Sequence, residues 1–162
     1  MAEVALRAAH AADGEAIAQV LHRARETMAF IPQDLHTMDD TRGFVRDVLL
    51  AGQEVIVALR DGAVAGFAAL DGDMLTQLYV APPFFGQGTG TRLLADAMAR
   101  RSGGLRLWVF QPNAGAIRLY ERHGFRTVKE TDGSGNEEKV PDRLMAWRPA
   151  AADQVDRSAG ER

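Results

Sequence analysis

Three glycines at alternate positions mark the first stretch able to do chemistry: Val80-Ala-Pro-Pro-Phe-Phe-Gly86-Gln-Gly88-Thr-Gly90-Thr-Arg-Leu-Leu94. Glycine lets the backbone turn tightly and approach a ligand without interference from a Cβ. A helix opening straight after such a loop aims free N–H groups and its positive dipole end at the same point. That combination suits phosphate. One such charge interaction contributes about 0.3–1 kcal/mol, and a diphosphate held by several amides gains more. Two phosphate-binding patterns fail on spacing. A P-loop requires Gly-x-x-x-x-Gly-Lys-Ser/Thr, whereas Gly90 is followed by Thr91 and Arg92. A dinucleotide fold requires Gly-x-Gly-x-x-Gly and an acid roughly 20 residues on. Here the loop reads Gly-x-Gly-x-Gly, and the later region, Leu107-Trp-Val-Phe, holds no acid. A glycine-rich turn without a ligand stays open.

The second stretch is Asn113-Ala-Gly-Ala-Ile-Arg-Leu-Tyr120-Glu-Arg-His-Gly124-Phe125. Asn113 and Tyr120 are seven residues apart, so they share one helix face. Along the axis they are about 10 Å apart. An extended chain lying across that face meets an amide at one end and a phenol at the other. Taken singly, Asn113 also reads as a plain helix cap, and Tyr120 as a packed tyrosine with a satisfied hydroxyl.

The elements that position these groups follow from periodicity and turn signals. Val4 to Ala8 reads as a short edge strand. Asp13 is expected to cap a helix with Ile17, Val20, Leu21 and Ala24 on its apolar face, fading near Thr27. Met28 to His36 has a proline and no clean period, so it reads as a loop with an apolar underside. A second helix is expected from Asp39, Asp40 or Thr41, with Phe44, Val45, Val48 and Leu49 on one face. Glu54–Leu59 and Val64–Leu70 are strand-like, joined by the hairpin signal Asp61-Gly62. Asp71-Gly72 leads to a further strand, Met74–Val80, completing an antiparallel meander. Pro82-Pro83 ends it. The next helix turns Leu93, Leu94, Ala97 and Met98 inward and stops at Gly103-Gly104. Leu105–Val109 is a strand. Asn113 opens a helix reaching His123, with Gly124 at the left-handed stop position. Phe125–Val128 and Arg143–Trp147 close the sheet. The sum is an α/β layered fold: a central mixed sheet of about seven strands, mostly antiparallel, with helices on both faces. Neither an internal repeat nor a second domain is expected, and residues 149–162 read as a frayed tail.

Composition narrows the chemistry. A chain of 162 residues suits one core, and 46% apolar residues suffice to fill it. The net charge of −3 gives no sign of a nucleic-acid surface or a polybasic membrane anchor. The absence of cysteine removes disulfides, thiolate catalysis and cysteine zinc sites. His10, His22, His36 and His123 show no metal-ligand spacing, so no metal is expected. No run approaches 18 apolar residues, and Met1-Ala-Glu-Val does not start a secretory signal. A cytoplasmic protein without a membrane partner is expected.

The two motifs, in this order and spacing, resemble the GCN5-related N-acetyltransferase (GNAT) family. The resemblance is close from about Met74 to Phe125 and extends in element order over Val4 to Trp147, which sets the expected domain at 1–148. The family's phosphate loop, Arg/Gln-x-x-Gly-x-Gly/Ala, is similar to Phe85-Gly-Gln-Gly88-Thr-Gly90. Its later motif is matched at Asn113, Ala116, Leu119, Tyr120, Gly124 and Phe125, and Leu-Tyr-Val-x-Pro at Leu78 to Pro82 also matches. One departure is Phe85, which stands where the family carries a basic or amide side chain. Main-chain amides of Gly86, Gln87, Gly88, Thr89 and Gly90 are still able to cradle a diphosphate. Gln87 or Arg92 stands close in sequence to replace the missing contact.

The resemblance implies an enzyme that takes acetyl-CoA as co-substrate and moves the acetyl group to an amine in a ternary complex, without a covalent intermediate. It implies backbone pairing of Leu78 and Val80 with the pantetheine arm and the Leu78 N–H as polariser of the thioester carbonyl. It assigns Asn113 to positioning and Tyr120 to protonation of the departing thiolate. The family's carboxylate on the fourth strand falls near Thr76 or Gln77, neither acidic, and Asp73 lies too early. His36, Glu137 and Glu138 stay open as bases, directly or through water, and departure of the proton through ordered water to bulk stays open beside them. By the same analogy the acceptor pocket lies between the Met28–His36 loop and the Thr131–Asp142 segment, with Phe30, Ile31 and Leu35 as an apolar wall. The acidic rim around Glu137 and Glu138 would attract a cationic amine. Family members often pair as homodimers. A non-catalytic acyl-CoA binding or sensing module is the alternative, and a nucleotide-binding protein a third reading.

Overall fold

The computed structural model describes residues 4–149. Most of the expected tail, 150–162, lies outside the described residues. The strands are β1 (Ala5–Ala8), β2 (Glu54–Arg60), β3 (Ala63–Asp71), β4 (Met74–Val80), β5 (Leu105–Phe110), β6 (Arg126–Thr131) and β7 (Asp142–Trp147). Their order in the sheet is β1-β2-β3-β4-β5-β7-β6. The helices are α1 (Gly14–Glu26), α2 (Met38–Phe44), α3 (Thr89–Arg100) and α4 (Ala114–Arg122). The expected α/β class and mostly antiparallel seven-stranded sheet are the observed ones. The chain divides into two compact units, Met1–Ala97 and Met98–Arg162.

In the first unit the Asp61-Gly62 signal gives a tight hairpin: both residues have positive φ, 52° and 79°, and Arg60 pairs with Ala63. Gly72, at φ 59°, turns β3 into β4. Successive residues of a strand point to opposite faces. On one face Val55, Val57, Phe67 and Ala69 pack against Ile17, Val20 and Leu21 of α1. On the other, at Gly66, an added Cβ would lie 3.2 Å from Leu93 and 3.4 Å from Thr89, both on α3. So α1 and α3 cover opposite faces of this part of the sheet.

Two helix starts differ from expectation. Asp13 precedes α1, but its side chain makes no cap there. It reaches back instead, accepting from the His10 N–H at 2.7 Å and, through both oxygens, from Arg7 at 2.8 and 3.0 Å. The Arg7 guanidinium on the preceding strand and the amide of His10 take the carboxylate away from the first turn of α1. α2 starts at Met38, one residue early, because Thr37 accepts from Asp40 N while the Asp40 carboxylate accepts from Thr37 N. A π-type turn, Val45–Leu50, then continues the helix. Its wider turn changes the phase of the apolar face. Val45 and Leu49 are buried as expected, whereas Val48 is 44% exposed.

The Arg7 pair gives a testable stability term. Arg7 hydrogen bonding, opposed by desolvation and helped by His10 N–H, pulls the Asp13 carboxyl down to about 2. An unfolded Asp titrates near 3.9. A depressed folded value adds stability above pH ~4, which disappears as pH falls towards 2. Arg7 is 37% exposed, so solvent screening cuts the gain well below what the shift alone implies. Asp13→Asn is expected to lower Tm by no more than about 4 °C at pH 7. Thermal unfolding should show the gap to wild type narrowing at pH 2–3. A gap independent of pH would remove the charge from the account.

In the second unit β5 alternates: Leu105, Leu107 and Val109 are buried, while Arg106 and Trp108 are exposed. Trp147 pairs with Leu105 and carries Phe125 on its ring, with Tyr120 of α4 beyond. α4 therefore covers the buried face. On the opposite face Trp108 and Phe110 meet the connection between β6 and β7. There the Asn136 Nδ2 donates to Val140 O at 2.7 Å and to Asp142 Oδ2 at 3.2 Å, and Asn136 Oδ1 accepts from Val140 N. Gln111 ties Thr131 O to Asp142 O. The segment is braced by its own amides.

Candidate functional site

The glycine loop is built in the first unit. A short 3-10 turn, Pro82–Phe84, follows β4, with Phe84 N donating to Ala81 O and Phe85 N to Pro82 O. Gly86 and Gly88 then take φ of 76° and 81°, the left-handed region that disfavours side chains. An added Cβ at either meets nothing within 4 Å, so both glycines border open space. Gly90 lies inside the first turn of α3. Arg92 N donates to Gly88 O at 3.1 Å, so the N–H groups of Thr89, Gly90 and Thr91 precede the first such bond of α3 and have no intrahelical acceptor. Phe85, at the head of the loop, is 50% exposed. Thr89 is 1% exposed, with its hydroxyl accepting from Arg60 Nε at 2.9 Å, and Arg60 Nη2 donates to Gln87 O at 2.6 Å.

The backbone direction of β4 can be read from its pairing. Ala81 N donates to Ala65 O at 2.8 Å. Val80 pairs with Gly66, Tyr79 with Phe67 and Leu78 with Ala68. Antiparallel pairs alternate between hydrogen-bonded and non-bonded. Ala81 and Tyr79 therefore turn their N–H and C=O toward β3, and Leu78 and Val80 turn theirs to the opposite edge of β4. The register also jumps: Gln77 pairs with Ala69 but Leu75 with Leu70, leaving Thr76 as an extra residue. Its hydroxyl donates to Gln53 Oε1 and lies 3.3 Å from Ala69 O. Thr76 is thus committed to the protein at one of the positions where a carboxylate base was sought.

The second unit holds the other motif. Asn113 caps α4, its Oδ1 accepting from Ala116 N at 3.3 Å. Tyr120 is 7% exposed, and its ring lies 5.7 Å from that of Phe125. Trp108, Phe110, Asn136, Glu138 and Asp142 line a cavity of about 480 Å³. Thr131 donates its hydroxyl to Asp142. Aromatic walls with carboxylates suit an alkylammonium. Of the remaining expected acceptor residues, Glu137 and His36 are exposed and Phe30 is half-buried. The loop bearing Phe30 and His36 is held by Gln33, whose Nε2 donates to the carbonyls of Arg25, Met28 and Ile31. Arg60 and the extra residue at Thr76 were not found by sequence reasoning. Nothing local signals either, since each is defined by contacts with a distant segment.

Comparison with known proteins gives a consistent result. The model of the acetyltransferase (GNAT) domain matches residues 51–127. The peptidyl-lysine N-acetyltransferase YiaC of Escherichia coli K12 is 33% identical over 105 residues, which are 64% of this chain and 69% of that protein. YncA of Salmonella typhimurium, solved with its cofactor acetyl-CoA, superposes with a TM-score of 0.70 at 25% identity, covering 90% of this chain and 94% of that one. Apo YjaB of Escherichia coli has the same fold, with a TM-score of 0.76 at 20% identity over 91% of this chain and 99% of that one.

Proposed function

The chain belongs to the GNAT acetyltransferase family, and from that premise we propose that it transfers an acetyl group from acetyl-CoA to a primary amine directly, in a ternary complex. The observation that carries this reading is the pair of left-handed glycines at the mouth of α3, where open space faces main-chain amides. Amides and helix dipole together favour a diphosphate. Gly86, Gln87, Gly88, Thr89 and Gly90 hold that end of the cofactor. The outward edge of Leu78 and Val80 pairs with the pantetheine arm as an added strand would. Acetyl-CoA supplies an activated thioester.

The chain's own groups then have distinct tasks. The Leu78 N–H donates to the carbonyl oxygen as negative charge builds there. The amine nitrogen forms the new C–N bond, the C–S bond breaks, and the Tyr120 hydroxyl gives its proton to the sulfur. Asn113 fixes the start of the helix that bears Tyr120. The proton lost by the ammonium leaves through water, with Glu138 and Asp142 as the carboxylates that line the cavity.

The relative that acetylates peptidyl lysine points to an alkylammonium as the acceptor. The cavity of Trp108, Phe110 and Glu138 fits that chemistry through cation–π and charge attraction. Release of CoA thiol is measured across lysine peptides, polyamines, free amino acids and aminoglycosides, with acetyl-CoA binding by calorimetry. Turnover with one amine class supports the reading. Saturable binding without turnover on any amine makes the chain an acyl-CoA binding module. No binding at millimolar cofactor removes the proposal.

The acidic rim is tested separately. Glu137→Gln with Glu138→Gln is expected to raise the acceptor KM about two- to fivefold, the scale of exposed charge interactions, with acetyl-CoA KM unchanged. An unaltered acceptor KM makes the segment a bystander.

A further inference from the structure

We propose that Arg60 is a positioning residue for the phosphate loop, aiming the Gly88 amide and supplying a cation to a loop whose head carries Phe85. The inference rests on the cofactor reading above. Arg60 ends β2, immediately before the Asp61-Gly62 turn. From there its guanidinium makes two bonds to the loop: Nη2 to Gln87 O at 2.6 Å and Nε to Thr89 Oγ1 at 2.9 Å. A planar fork with several donors can hold two acceptors at once, which a lysine ammonium does less well.

The first of these bonds has a directional consequence. The Gln87–Gly88 peptide is trans and planar, so its C=O and N–H point opposite ways. Pinning Gln87 O on Arg60 turns the Gly88 N–H away from Arg60, to the other side of the loop. The second bond fixes Thr89, buried at the first position of α3. Arg60 thus orients the amides on both sides of the turn. It also brings a positive charge to a loop whose head carries Phe85. Arg60 acts through the loop, and its effect should follow the phosphates rather than the acetyl transfer.

The test compares wild type with Arg60→Met, which keeps an apolar stem, and Arg60→Lys. Each is assayed with acetyl-CoA and with S-acetylpantetheine, a thioester arm without phosphates. Calorimetry with CoA runs in parallel. Arg60→Met is expected to weaken CoA binding and raise the acetyl-CoA KM about tenfold, with kcat within twofold. Its activity on S-acetylpantetheine should match wild type. Arg60→Lys should recover part of the loss, since it restores charge without the two-point hold. Thr89→Val, which removes only one acceptor, should show a smaller loss in the same direction and reads out the contact if Arg60→Met does not fold. Unchanged CoA affinity in these variants, or an equal loss on both thioesters, overturns the proposal while leaving the cofactor assignment standing. Wild-type protein that fails to bind CoA overturns both.

Discussion

Tyr120→Phe is expected to lower kcat at least tenfold while acetyl-CoA affinity stays near wild type. The substitution removes one oxygen and keeps the ring. The ring packs in the fold: it lies 5.7 Å from Phe125, which in turn lies 6.3 Å from Trp147. The backbone bonds at this position, from His123 N and Phe125 N to Tyr120 O, do not involve the side chain. Loss of general acid catalysis commonly costs 10²–10⁴-fold. A thiol with a pKa near 8.5 leaves readily without full protonation, so the lower end of the range applies. Steady-state CoA release gives kcat, and calorimetry gives the affinity. An unchanged kcat would take Tyr120 out of the chemistry and leave its hydroxyl a structural group.

Gly88→Val should act on the opposite parameter, raising the acetyl-CoA KM at least tenfold with a small change in kcat. At φ 81° a side chain costs about 1–2 kcal/mol. That predicts a Tm lower by about 2–8 °C for a chain of this size. An added Cβ meets no protein atom within 4 Å, so the protein itself does not clash with it. On the proposed reading the affinity loss comes from the side chain standing where the diphosphate would approach. Gly72→Val supplies the control. Gly72 also has positive φ, 59°, and no atom within 4 Å of an added Cβ, but it turns β3 into β4. It should lose similar stability and keep its cofactor KM. Equal KM changes in the two variants would assign the effect to general destabilisation.

Much of this architecture was legible in the sequence because it is coded locally. Asp61-Gly62 needs two positive φ angles, and glycine with aspartate provides them. Gly124 at φ 94° ends α4, and Asn113 starts it, each as its residue type requires. The glycine loop was legible for the same reason. Features set by contacts with another element were not. Asp13 has the right type for a helix cap, yet Arg7 claims its carboxylate. Val48 fits a 3.6 period but is rotated outward by a π-type turn. Thr76 breaks the alternation of β4 through a register change visible only against β3. Glu137 and Glu138 are adjacent and equivalent in the sequence, and only the folded β6–β7 connection puts Glu138 rather than Glu137 in the cavity wall.

Gly66 has a consequence beyond packing. A methyl group there would sit 2.8 Å from Tyr79 O, a main-chain atom with little room to yield, besides crowding Leu93 and Thr89. The spacing between β3 and α3 is thereby gauged by a missing atom. Substitution at this position would disturb the β3–β4 pairing first, through Tyr79 O, and would press only secondarily on the side chains of Leu93 and Thr89 at the start of α3.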